Sequence, residues 1–312
     1  MECEDAMKLN VTPPTLQNYQ FYYRGVTMGI GTNYDIIRVD GLEDLNVRVG
    51  DRDFPRSHGQ IPGRHLASYR VVTVDLEVNG IPGSTSHNTD LQRLLSALSP
   101  DQGAGDGTVE DDERDRLYWK FPGETTKFVR CRPVKRRLPR RADTEYGYFP
   151  VNFQLRASDP RKYGAVLNSS GSHPYYTDVV NAGDARAYPT ILLTKTGGSG
   201  TILKLDNKGD GGNSSPTLFS IFLDNIAAGG YLCDMDSYIR GTDKQTITLV
   251  ALSGFHPLFP LQVINPGINK YGTWRLPRKP FYLLPGSNRL TGYASTDLTQ
   301  QSFNVYWYDT WM

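Results

Sequence analysis

Side chains able to do chemistry are present in this chain, but they are dispersed. Five histidines (His58, His65, His87, His173 and His256) are scattered over 312 residues. His58 and His65 stand seven apart across a proline-containing loop, which is not the spacing that sets two ligands on one helical face. No GxSxG, no HExxH and no cysteine beside a histidine occurs, so neither a nucleophile with its base nor a zinc helix is indicated. Asp234 and Asp236 alternate on one strand face with no evident cleft around them. The polar run DNKGDGGN from Asp206 resembles half of a calcium loop, yet its twelfth position is Thr217 where a bidentate glutamate is required. Asp106, Asp111, Asp112 and Asp115 also lack calcium-loop spacing, and a solvated acidic loop is the plainer expectation for Asp101 to Arg116. Gly25, Gly29 and Gly31 could cradle a phosphate only if a helix began after them, and no helical period follows. The expectation is a protein without catalysis, metal or cofactor.

Charge and cysteine usage narrow the setting. Net charge is +1, so no global field draws the chain to nucleic acid or a membrane surface. Three cysteines (Cys3, Cys131, Cys233) are each more than a hundred residues from the next and form no disulfide framework, which fits assembly in a reducing compartment. MECEDAMKLN is acidic where a signal peptide is basic, and no apolar run reaches membrane-spanning length, so a soluble protein made in a cytoplasm is expected.

The elements that must hold these residues are mostly strands. Gly 31 and Pro 20 make about a sixth of the chain, above the usual ~12%. With 19 Tyr and many turn signals this favours a mainly β protein. Val72, Val74, Leu76 and Val78 alternate with Val71, Thr73, Asp75 and Glu77, defining a half-buried strand over Ala67 to Val78. One helix is expected at Asp90 to Leu98, with Thr89 and Gln92 as a capping box and a stripe of Leu91, Leu94, Leu95 and Leu98. Leu117 to Phe121 and Thr126 to Cys131 read as a hairpin around Pro122-Gly123. Arg130 to Arg141 holds seven basic residues in twelve, and Pro133 and Pro139 exclude a continuous helix. Contact with phosphates or an acidic neighbour, and a charge-blunted sheet edge, are both open for it. From Tyr148 onward short strands recur without helices, the pattern of a β-sandwich or barrel. The domain boundary is expected just before that strand, giving domains 1–147 and 148–312.

Asp51 to Gly63 is a long polar loop with two prolines between the Asp40-Gly41 turn and the next strand. Loops of this length in compact domains are usually functional or disordered.

Five stretches, in order, resemble the phage distal tail proteins of the siphovirus-type tail component family. They are VDGL…VRVGDRDFPRSHGQIPGR, the strand after it, the leucine helix around DLQRLLSALS, the junction YFPVNFQLRASDPRKYG with Asp159, Pro160 and Tyr163, and WRLPRKPFYLLPGSNRLTG with Trp274, Pro285, Gly286 and Asn288. The resemblance implies an N-terminal belt domain (β-rich with one short helix) followed by a galectin-like β-sandwich. It further implies a homohexameric ring at the tip of a long non-contractile tail, in the virion. The ring would join the tail tube protein to the tip hub or tail-associated lysin and to receptor-binding proteins, with DNA passing transiently through its lumen. A head-to-tail ring needs complementary surfaces, and the acidic loop and basic edge supply that asymmetry, so Arg136 and Arg137 are expected at a neighbour. Placed in a belt domain, the long loop becomes an inter-subunit or tube-facing element, with Arg48, Asp51, Arg52, His58 and Arg64 as its contact residues. The alternative is a loop folded on its own domain, Arg64 pairing with Asp51 or Asp53. A carbohydrate-binding module of an adsorption device is the rival function, with Trp274 and Tyr293 as glycan contacts.

Overall fold

The computed structural model describes residues 12–49, 51–53, 60–61, 66–80, 84–99, 115–137, 148–170, 176–195, 201–209, 219–226, 229–234, 246–251, 263–269, 282–294 and 301–312. The chain is mainly β and divides into two compact units, Pro13–Asp106 with Asp111–Ala165, and Val166–Trp311.

In the first unit the strands are β1 (Gln20–Tyr23), β2 (Val26–Gly29), β3 (Tyr34–Asp40), β4 (Val47–Arg48), β5 (Arg52–Asp53), β6 (Gln60–Ile61), β7 (Leu66–Ala67) and β8 (Arg70–Asn79). After helix α1 (Thr85–Ala97) come β9 (Arg116–Lys120), β10 (Lys127–Arg130), β11 (Arg132–Arg137), β12 (Tyr148–Ala157) and β13 (Lys162–Gly164). Two antiparallel layers result: β2-β1-β9-β10-β13, and β11-β12-β8-β3. The β1–β2 turn has positive φ at both Arg24 and Gly25, the primed geometry that matches strand twist. Strand β8 buries every second residue, as its alternation predicts: Val72, Val74, Leu76 and Val78 face Val151, Phe153 and Leu155 of β12 in one core with Phe21, Met28 and Trp119. Leu94, Ala97 and Leu98 of α1 seal that core.

Two boundaries differ from expectation. The helix begins at Thr85, a turn before Asp90, and its cap is Ser84, whose Oγ accepts from His87 N at 3.2 Å. Thr89 is interior and its Oγ1 donates back to Thr85 O at 2.7 Å. The first turn is Thr-Ser-His-Asn, residues of modest helix propensity, and packing rather than propensity holds it: His87 is buried, and a Cβ on Gly80 would stand 2.9 Å from its Nδ1. The unit boundary lies after Ala165, not before Tyr148. Strand β12 pairs along all ten of its residues with β8 and on its other side with β11, so it is the centre of a first-unit sheet.

The second unit contains β14 (Asn168–Ser169), β15 (Tyr176–Asn181), β16 (Thr190–Lys195), β17 (Thr201–Asn207), β18 (Phe219–Ile226), β19 (Gly229–Asp234) and β20 (Thr246–Ala251). It continues with β21 (Val263–Asn269), β22 (Gly286–Ala294), β23 (Gln301–Trp307) and β24 (Thr310–Trp311). Strands β14 to β23 form the antiparallel sheets β14-β23-β16-β19-β20-β21 and β15-β22-β17-β18. Trp307 Nε1 donates to Val180 O at 3.1 Å, linking one sheet to the other. Tyr282 to Leu284 contributes a single bridge, Leu283 with Ala187, among the described residues. Asn288 turns that segment, accepting from Leu284 N and donating to the carbonyls of Leu284 and Gly286.

Candidate assembly interface

Between Asp40 and Arg70 the short strands β4 to β7 pair with one another rather than with the two larger sheets. Gly41 opens this segment at φ +87, where a Cβ would meet Val71 O at 1.9 Å, so the Asp-Gly turn requires its glycine. Two short antiparallel ladders join the described residues between Asn46 and Ser68: Ser68 N donates to Asn46 O at 2.7 Å, Val47 and Arg48 face Ala67 and Leu66, and Arg52 and Asp53 face Ile61 and Gln60; this paired segment is the arm. The stretch expected as a polar loop thus carries, in its described residues, one of these ladders, Arg52–Asp53 with Gln60–Ile61. Leu45, Val47, Val49 and Leu66 are all exposed, Leu66 on the Arg48 face of the β4–β7 ladder and Val47 on the other, so the single chain leaves apolar side chains in water on both faces.

The root of the arm is pinned by buried charge. Arg70 is wholly buried at the first apolar-face position of β8. Its Nη1 donates to the carbonyls of Gly41 (3.2 Å), Leu42 and Asp44 (3.0 Å), and its Nε to Pro160 O at 2.9 Å. Burial pushes the Arg70 pKa down, and the carboxylates of Glu43 and Asp44 oppose that shift. Lys162 reinforces the clasp with a 2.6 Å ion pair to Glu43. Asp159 organises the other half: its carboxylate accepts from Arg161 N (3.1 Å), Arg161 Nε (2.9 Å), Arg161 Nη2 (2.7 Å) and Tyr163 OH. The Asp-Pro-x-x-Tyr element thus ties β13 to the base of the arm.

The residues singled out from sequence fall in separate places. Arg48 is exposed on β4, Asp51 half-buried, and Arg52 opens β5. Arg136 and Arg137 are exposed on β11, where Arg136 Nη1 donates to Leu95 O in the last turn of α1 at 3.2 Å. Tyr293 lies on β22, paired in register with Lys204. His58, Arg64 and Trp274 lie outside the described residues. The arm and the basic edge are therefore two surfaces, not one site. Most of the acidic stretch also lies outside the described residues, but its last member corrects the expectation of a solvated loop. Asp115 is buried, paired with Arg24 and, at 2.7 Å, with Arg132 of the basic stretch in the same chain.

Strands β3 and β11 are the outer strands of one sheet, and they differ. Strand β11 exposes Arg132, Lys135, Arg136 and Arg137, whereas β3 carries Asp35, Arg38 and Asp40. Beside β3 lies a cavity of about 450 Å³ bordered by Tyr19, Ile30, Asp35, Ile37, Arg38 and Phe121. Sequence reading missed Arg70, Arg24 and this cavity. Arg70 was discoverable, because stepping the Val72–Val78 alternation back by two lands on it. Among the described residues no group of three His, Cys, Asp or Glu is placed to hold a metal.

Two compact antiparallel β units, the first carrying one helix and the arm, define the architecture. That fold is shared with the SPP1 Dit protein, described as a paradigm of hub adsorption apparatus in Gram-positive infecting phages: TM-score 0.58, 17% identity, covering 94% of this chain and 99% of that one. A looser likeness, TM-score 0.46 and 8% identity over 92% of this chain and 97% of the other, is to a chain of the phage P2 baseplate in its activated conformation with Ca. No family model matches the sequence, and no curated protein is similar to it. The resemblance read from sequence is upheld at the level of fold.

Proposed function

We propose that this chain is a non-catalytic structural protein of the tip of a long phage tail. Copies of it close into a ring, six by analogy with the distal tail proteins, that joins the tail tube to the hub bearing the host-adsorption proteins. DNA passes through the lumen without sequence-specific contact, as backbone-only encounters allow. The observation that carries this reading is the arm. A paired segment held at its root by Arg70 and Lys162, with Leu45, Val47, Val49 and Leu66 in water, is built to be covered by something else. A chain sharing the whole two-unit fold of a hub protein has other copies and the tube as its natural coverings.

The purified full-length protein, viewed by negative-stain electron microscopy with its mass measured by light scattering, is expected to be a closed ring with a central hole. A monomer at every concentration up to ~100 µM, with no ring in the images, would reject the proposal.

A further inference from the structure

The two outer strands of the β11-β12-β8-β3 sheet share an irregularity. The β3–β8 register shifts between Ile36 and Arg38, leaving Ile37 as an extra residue, and the β11–β12 register shifts between Pro133 and Lys135, leaving Val134 as one. A bulge turns its extra side chain out of the ladder. Both extra residues are aliphatic and both face water, Ile37 at 62% and Val134 at 53% exposure. Bulges and charge on edge strands usually serve to stop pairing, and that purpose calls for a polar bulge residue. An isoleucine and a valine placed there instead are left to be buried by a partner.

Their surroundings are unlike and complementary. Ile37 stands on the rim of the 450 Å³ cavity, beside Ile30 (56% exposed), Tyr19 and Phe121, whose rings meet edge-to-face with centroids 6.3 Å apart. The charges next to the cavity are Asp35, Arg38 and Asp40, net negative by one, with Arg38 already paired to Asp40 at 2.6 Å. Val134 stands exposed on β11, flanked by exposed Arg132, Lys135, Arg136 and Arg137. One edge is an acid-rimmed apolar socket. The other is an apolar knob among cations.

We infer that the socket beside β3 receives Val134 of a second copy of this chain, with the basic residues around Val134 lying against Asp35 and Asp40. Knob and socket are on opposite outer strands of one sheet, so each copy can give one and take one. The contact is heterologous and propagates until it closes. This rests on the ring reading and adds to it a contact distinct from the arm.

The test uses full-length protein, with mass followed against concentration by light scattering. Val134→Asp and Ile37→Asp replace exposed residues, so each is expected to keep the wild-type circular dichroism and thermal midpoint. Each should raise the concentration for half-assembly by at least about tenfold, the scale of one buried aliphatic side chain lost per contact. An equimolar mixture should form a 1:1 heterodimer that neither forms alone, because Val134→Asp keeps its socket and Ile37→Asp its knob. Wild-type rings with unaffected variants would overturn this contact and leave the ring reading standing. A mixture that stays monomeric beside assembling wild type would also overturn it. A monomeric wild type would overturn both. Should either aspartate variant lose structure, Val134→Ser and Ile37→Ser carry the same expectations.

Discussion

Arg70 shows how much of this molecule depends on one side chain in an unexpected place. A guanidinium with no water contact is costly unless its donors are bonded, and here four backbone carbonyls from two distant segments take up Nε and Nη1 while Nη2 is left without a partner. Methionine is close in length and offers no donors. Arg70→Met is therefore expected to strand those carbonyls and lower stability by on the order of 3 kcal/mol, given about 1–3 kcal/mol per buried unsatisfied group. Urea denaturation followed by fluorescence measures this. A loss below about 1 kcal/mol would mean that water replaces the guanidinium. Asp115 works in the same way at the far end of the unit. It collects Arg24 and Arg132, and Arg24 also donates to Ala97 O (3.2 Å) and Ser99 O (2.8 Å), so one arginine holds the end of α1 and the start of β9 together.

The arm is the element whose removal separates folding from assembly. Among its described residues it adds no side chain to the buried core beyond Leu42 at its base. Replacing residues 47–67 with a short Gly-Ser linker is expected to leave far-UV circular dichroism nearly unchanged and to abolish ring formation in light scattering. A shortened chain that still forms rings would shift the burden of assembly to the sheet edges. Strand β11 makes the opposite trade. It is an integral outer strand of the sheet and its exposed side chains are almost all basic, the pattern of a charge-blunted edge. Arg132 is spent inside the chain on Asp115, while Lys135, Arg136 and Arg137 remain on the surface.

For the whole molecule the charge pattern makes assembly sensitive to salt. Cations on one outer strand and a net negative opposite strand attract across a copy-to-copy contact. Raising ionic strength from about 0.1 M to about 1 M shortens the screening length from about 10 Å to about 3 Å. Ring formation by wild type is expected to weaken over that range. The double variant Arg136→Glu/Arg137→Glu should form fewer rings at low salt and should lose less than wild type on raising it. Equal salt dependence of the two would place these arginines away from the contact.

Much of the first unit was legible because its signals are local. The β8 alternation, the Asp40-Gly41 turn, the Pro122-Gly123 hairpin and the Leu94/Leu98 face all follow from the 2.0 and 3.6 periods and from φ preferences that a few neighbouring residues set. The resemblance to distal tail proteins also rested on short ordered stretches, and the fold agrees with it. Three things were decided only in three dimensions. The β12 segment was assigned to the wrong unit, because nothing in YFPVNFQLRA says which sheet it will join, whereas its ten-residue register with β8 does. Asp51 to Gly63 reads as a loop because prolines, glycines and charges mask short ladders, Val47–Arg48 with Leu66–Ala67 and Arg52–Asp53 with Gln60–Ile61. The socket beside β3 is made by residues from three separate segments, Tyr19 to Ile30, Asp35 to Val39, and Phe121, and periodicity carries no information about which segments meet. Sequence alone determined which residues alternate, turn and cap, since those depend on near neighbours. Tertiary structure decided which edges stay open and what lies on them, because an edge exists only once every other strand has found its partner.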